Sequence, residues 1–229
     1  MDGDYLGGAR AMAIDVFSAL KPQDLLFLGE AALRTLEISV TAIAIGSFFG
    51  VIFGWGMAAG NRLITFIINA ILDIFRSVPL IIQLILFDSF ISILGYPAPA
   101  FVSGTIVLSV YTSALVANVA RGGIEAVPIG LRKASRSLGL TYWQDMFYVV
   151  WPVGLRAVFP SWVGVALSVV KDSALVSVIG YVELLKASQI LITRTQDTFL
   201  ILTIAGLFYF ALSYPISKIS EKIEKRWHE

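Results

Sequence analysis

The chain has 229 residues, 57% of them hydrophobic and only 14% charged, with a mean hydropathy of +0.82 and a formal net charge of +1. A soluble domain of this length could not bury so much apolar surface, so the composition reads as a membrane-embedded chain. The small net charge excludes nucleic-acid binding through bulk charge, the absence of cysteine excludes disulfides and thiolate metal sites, and a single histidine, His228, supplies no histidine metal site or intramembrane proton relay.

The first thirty residues carry Asp2, Asp4, Asp15, Asp24 and Glu30 and lack a long apolar run. No cleavable signal is expected there, and 1–30 reads as an extracytoplasmic or interfacial lead-in. Charge-poor windows then mark five spans, since about 20 apolar residues cross a hydrocarbon core. They are Ile38–Asn61, Ser77–Leu94 (interrupted by Asp88), Phe101–Ala120, Ala157–Val170 extending past Lys171, and Thr198–Ser217. Tyr96-Pro97-Ala98-Pro99 is the turn between the second and third. The second span starts either near Leu63, as one long tilted helix, or near Ile74 after an elbow. Leu184–Ile192 reads as a short outer helix, with Glu183 and Lys186 as a surface pair. The whole is one all-α domain over 1–229, with a five-helix core at 31–220 and a polar loop at 121–156.

Five spans place the termini on opposite sides. With the N-terminus outside, the inner segments hold Arg62, Arg76, Arg121, Arg132, Lys133, Arg136, Arg156, Lys218, Lys222, Lys225 and Arg226. The outer segments hold Arg10, Lys21, Arg34, Lys171, Lys186 and Arg194. The positive-inside rule therefore gives an N-out, C-in chain with the 121–156 loop in the cytoplasm.

That loop interrupts an otherwise apolar protein. Leu131, Ala134, Ser135 and Leu138 fall on one face of a short helix, with Arg132, Lys133 and Arg136 on the other. Gly139 is placed as its C-terminal stop. Thr141 and Gln144 match a capping box for a second helix, which Pro152 is expected to end. The loop suits docking into a groove on a partner; the competing reading is an amphipathic helix facing anionic lipid.

Ionisable groups inside spans cost on the order of 2.5–3.5 kcal/mol each, so each needs a reason. Asn69, Asp73, Arg76 and Gln83 are expected on one helical face, with Asp73 and Arg76 paired. Pro79 has no N–H for the Phe75 carbonyl and is expected to bend the helix. Asp73, Arg76, Gln83, Asp88, Lys171 and Asp172 are the candidates for lining a substrate pathway, where cations suit a carboxylate and acids an ammonium. The alternative is that Asp73–Arg76 and Lys171–Asp172 serve helix packing or an intersubunit gate. Gly46, Gly50 and Gly54 form a small-residue stripe for close helix approach. Tyr142, Trp143, Trp151 and Trp162 read as interfacial anchors. No GxxxxGK[ST] phosphate loop occurs.

Several stretches together resemble the permease subunits of type I bacterial ABC importers, in the polar amino-acid branch. They are Phe75-Arg76-Ser77-Val78-Pro79-Leu80 with Gln83, Arg121-Gly122-Gly123-Ile124, Lys133-Ala134-Ser135 with Gly139, Trp151-Pro152, and Lys171 through Gly180. In that family a Glu-Ala-Ala triplet and a glycine form a coupling helix that docks on the ATPase; Lys133 stands here where the family usually has glutamate. The resemblance implies docking through Leu131, Ala134, Ser135, Leu138 and Gly139, and a location in the bacterial inner membrane. It implies a second permease subunit, an ABC ATPase that uses the ATP, and an extracytoplasmic solute-binding protein. This chain itself would be no enzyme and would hold no cofactor. Two other classes stay open on the residues alone: an ion-coupled secondary transporter using Asp73 or Asp88, and a non-transporting membrane scaffold.

Overall fold

The first helix opens on Pro22, whose fixed φ suits a first turn and whose missing N–H costs nothing there. It continues unbroken to Ala59 in the computed structural model, which describes residues 20–228. The expectations for a lead-in and a signal segment concern residues that lie largely outside this range. The helices are α1 (Pro22–Ala59), α2 (Arg62–Ser77), α3 (Leu80–Ile93), α4 (Ala100–Glu125), α5 (Ile129–Ser137), α6 (Tyr142–Asp145), α7 (Trp151–Asp172), α8 (Leu184–Thr195) and α9 (Thr198–His228). A π turn, Met146–Val150, joins α6 to α7, and a 3-10 segment, Ser173–Ile179, extends α7.

All regular structure among the described residues is helical. α1, α4, the α6–α7 rod with its extension, and α9 are each long and apolar enough to cross a membrane. α2 and α3 together make one more crossing if they form a single broken span. They meet at 98°, which overturns the long tilted helix; the elbow falls at Val78–Pro79, just beyond Ile74. The cause is local. Proline drives the preceding residue out of the helical region, and Val78 is extended at φ −84°, ψ 130°. The bend also separates Gln83 from Asn69, Asp73 and Arg76, so these four do not share one helix face.

α1 and α4 form the central pair. Gly46, Gly50 and Gly54 face Thr112, Val116 and Ala117–Ala120 so closely that an added Cβ would fall 2.5–2.6 Å from α4 atoms. The small-residue stripe therefore packs within the chain. Around this pair, apolar side chains gather at successive levels. Leu28, Leu184 and Ile201 join α1, α8 and α9; Ile38, Leu84, Leu108, Val169 and Val176 join α1, α3, α4, α7 and the 3-10 segment. Met57, Leu72 and Ala117 close α2 onto the C-terminal halves of α1 and α4. Many large apolar side chains, such as Leu63, Phe66 and Phe199, remain outside this core, as expected of a chain solvated by lipid.

Pro152 does not end the second loop helix. The π turn precedes it, with the Trp151 N–H bonding to the Met146 carbonyl five residues back. Widening the helix there accommodates a residue with no N–H for the carbonyl four positions earlier.

Glu183 is also not a surface group. It is fully buried and caps α8, accepting from the N–H groups of Leu185 and Lys186 at 2.8 Å and from the Tyr209 hydroxyl at 2.9 Å. Thr35 on α1 accepts the Leu184 N–H at 3.1 Å. At the other end of α8, Arg194 bonds Asp24 of α1 at 2.5 Å. α8 is thus fastened to α1 at both ends.

Candidate functional site

The loop helix α5 ends as its sequence requires. Gly139 has φ +83°, and the N–H groups of Gly139 and Leu140 bond the carbonyls of Arg136 and Ser135. This is the Schellman arrangement, which favours glycine at the left-handed position. Thr141 and Gln144 then form the expected capping box, with the Thr141 N–H donating to the Gln144 side chain at 2.8 Å.

The facing of α5 differs from the amphipathic expectation. Ser135 is buried, with Oγ 2.5 Å from a carboxylate oxygen of Asp145, and Arg132 lies 3.5 Å from the other. Asp145 itself is 1% exposed. The inward side of α5 is therefore polar, and Arg132 leaves the outward basic set. Leu131, Ala134, Leu138 and Gly139 are exposed, Leu138 at 82%. Of the five docking candidates Ser135 alone points inward; its bond to Asp145 orients the other four. A buried carboxylate needs hydrogen bonds and a cation to be tolerated, and these contacts supply both.

An aromatic group holds the same loop to α1. Trp55 stacks on Trp143 with ring centroids 5.4 Å apart and donates its indole N–H to the Tyr142 hydroxyl at 3.1 Å. The Arg136 guanidinium lies 5.7 Å from the Tyr142 ring centre. Trp162 donates to Ser47 of α1 at 3.0 Å. Tyr142, Trp143 and Trp162, read from the sequence as interfacial anchors, also make contacts within the fold. Gly123 and Gly154 bring α4 and α7 into backbone contact just above the loop, since a Cβ on Gly154 would sit 2.5 Å from the Gly123 carbonyl oxygen.

The six pathway candidates do not form one cluster. Asp73 and Arg76 pair on α2, as their spacing suggests. Gln83 donates to the carbonyls of Phe75 and Val78, both at 2.8 Å, so its amide N–H groups are occupied by the elbow. Asp88 is half-buried on α3. Lys171 and Asp172 share an open polar groove of about 640 Å³ with Tyr111, Ser161 and Ser168. None of Asp73, Arg76, Gln83 or Asp88 lines it. Tyr111, Ser161 and Ser168 were not singled out by sequence, where hydroxyls in apolar spans look like ordinary packing residues. Asp145 was also missed, although a lone acid opening an apolar run already demands a partner.

The groove offers a cation, a carboxylate and hydroxyls to a polar solute. Among the described residues no cluster of acids, histidines or cysteines could hold a metal ion.

The model of the family described as binding-protein-dependent transport system inner membrane component matches residues 46–229. A probable glutamine ABC transporter permease protein of Bacillus subtilis is 30% identical, across 93% of this chain and 99% of its own. A putative glutamine transport system permease protein of Rickettsia felis is 33% identical, across 88% and 93%. The crystal structure of an amino acid ABC transporter with histidines superposes with a TM-score of 0.77 at 28% identity, covering 99% of this chain and all of the other. An inward-facing methionine ABC transporter, at 20% identity and a TM-score of 0.80, shares the fold. The chain therefore belongs to the inner-membrane components of binding-protein-dependent transport systems, as a multi-pass permease.

Proposed function

We propose that this chain is the permease subunit of an ATP-driven importer for polar amino acids or their derivatives. The observation that carries the reading is α5: a short helix anchored from behind by Asp145, with Leu131, Ala134 and Leu138 exposed. Exposed apolar side chains on a rigid polar mount fit a cleft on another protein. In an N-out, C-in chain that protein is a cytoplasmic ABC ATPase. The relatives named for glutamine, and a Bacillus subtilis arginine transport system permease 28% identical over 92% of this chain, support a polar amino-acid substrate.

The assembly contains a second permease subunit, identical or related, and an extracytoplasmic solute-binding protein that delivers the ligand. Closure of the ATPases on ATP pulls on α5, and the α6–α7 rod carries that displacement into the membrane. Access then alternates by rigid-body motion of helices. The energetic requirement is differential, because the docked ATPase must favour one membrane conformation over the other. Lys171 suits the carboxylate of an amino acid and Asp172 its ammonium.

The test is reconstitution of the permease with and without its ATPase. Uptake should require ATPase, ATP and binding protein together. Uptake that persists without ATPase and follows an ion gradient would overturn the reading in favour of a secondary transporter.

A further inference from the structure

Beside the exposed leucines of α5 lies a groove of about 540 Å³ lined by Ile129, Arg132, Lys133, Arg136, Ser137 and Asp145. The acid among these is buried and already bonded to Ser135 and Arg132. Lys133 and Arg136 are exposed, and neither forms an ion pair among the described residues. The surface of α5 thus carries uncompensated positive charge next to Leu131 and Leu138. Arg136 is held in place by the Tyr142 ring and by the Leu140 carbonyl at 3.4 Å, so this cation is positioned rather than loose.

We propose that the partner surface receiving α5 is an apolar cleft rimmed by carboxylates, which Lys133 and Arg136 engage. The proposal rests on the ATPase-docking reading and specifies the chemistry of that partner. Shape favours a protein over lipid headgroups. Lys133 and Arg136 line a concave groove beside the exposed Leu131 and Leu138, a form that receives a protruding side chain. α5 packs against α6 and the π turn, which hold that groove in place. Lipid attraction falls off within a Debye length of about 8 Å at physiological salt. A carboxylate rim is reached at contact distance, where opposite charges raise both the encounter rate and the specificity of docking.

The test uses the whole permease in nanodiscs of zwitterionic phosphatidylcholine, with its ATPase titrated at low and at high salt. Wild type should bind at least about tenfold more weakly at high salt. Lys133→Glu/Arg136→Glu should lose about tenfold or more at low salt, and its affinity should no longer fall with salt. Lys133→Met/Arg136→Met should fall between, which separates lost attraction from added repulsion. Wild-type affinity in the double reversal would overturn the carboxylate rim. Leu138→Glu separates this from the underlying reading: if it also binds normally, α5 is not the docking element at all. If the reversal weakens binding only in discs containing anionic phosphatidylglycerol, the cations serve the membrane and the proposal is lost.

Discussion

The side-chain amide of Gln83 donates to the main-chain carbonyl of Phe75 across the α2–α3 elbow, at 2.8 Å. Pro79 removes the donor that Phe75 would have used in a continuous helix, and Gln83 replaces it from the next helix. The same nitrogen serves Val78, so one side chain satisfies two of the carbonyls freed by the break.

Gln83→Leu should therefore destabilise the permease by about 1–3 kcal/mol, the cost of leaving two partly buried acceptors unmet. Thermal unfolding in detergent measures this. Gln83→Asn, too short to reach both carbonyls, should behave similarly. A variant of normal stability but altered uptake KM would return Gln83 to the substrate pathway.

Asp145→Ala removes the acceptor of Ser135 and the counter-charge of Arg132 at once. The expected result is an inserted permease less stable by about 1–3 kcal/mol. ATP hydrolysis should still occur in the assembled transporter, but with less uptake per ATP. Wild-type coupling in this variant would show that the α5 mount does not transmit motion.

Glycine substitutions should divide sharply. Gly50→Ala places a Cβ 2.6 Å from that of Val116 and 2.9 Å from the Ser113 carbonyl oxygen, whereas a Cβ on Gly164 meets nothing within 4 Å. Overpacking of this kind costs about 1–3 kcal/mol. Gly50→Ala should lower the unfolding temperature and the yield of inserted protein, while Gly164→Ala leaves both unchanged. Equal behaviour of the two would contradict the α1–α4 contact.

Burial pushes the Glu183 carboxyl above the ordinary 4.5, against hydrogen bonds from Leu185, Lys186, Tyr209 and Thr35 that lower it. The folded state then holds the proton more tightly than the unfolded state. The corresponding stability is fully present below 4.5 and is lost as pH rises through the raised value. Glu183→Gln cannot titrate. The unfolding temperature of wild type relative to this variant should thus fall as pH rises above 4.5. A rise would mean that the hydrogen bonds outweigh burial.

Much of this architecture was legible from residue types alone. Apolar windows located the long helices, Pro79 announced the elbow, and Gly139 with Thr141 and Gln144 fixed the loop turn. These signals are local: a missing N–H, a left-handed φ or a reciprocal cap is written within four residues. The failures were tertiary. Nothing near Glu183 in sequence announces Thr35 or Tyr209, so an acid followed three residues later by a lysine looked like a solvated pair. Periodicity grouped Ser135 with the leucines because it measures angle and not contact; Asp145, ten residues on, decides which way that face turns. The polar groove likewise needs α4 and α7 side by side before Tyr111 can join Asp172.

The α1–α4 pairing carries one more consequence. Three successive glycines of α1 rest on α4 with no room for a methyl group, so the two helices cannot slide or roll against each other without clashing. They form a single strut. The helical ladder is interrupted elsewhere, at the Val78–Pro79 corner and at the widened turn before Pro152. The first interruption separates α2 from α3, and the second lies between α5 and the groove. Any rearrangement of helices during transport has to leave this post whole and take place around it.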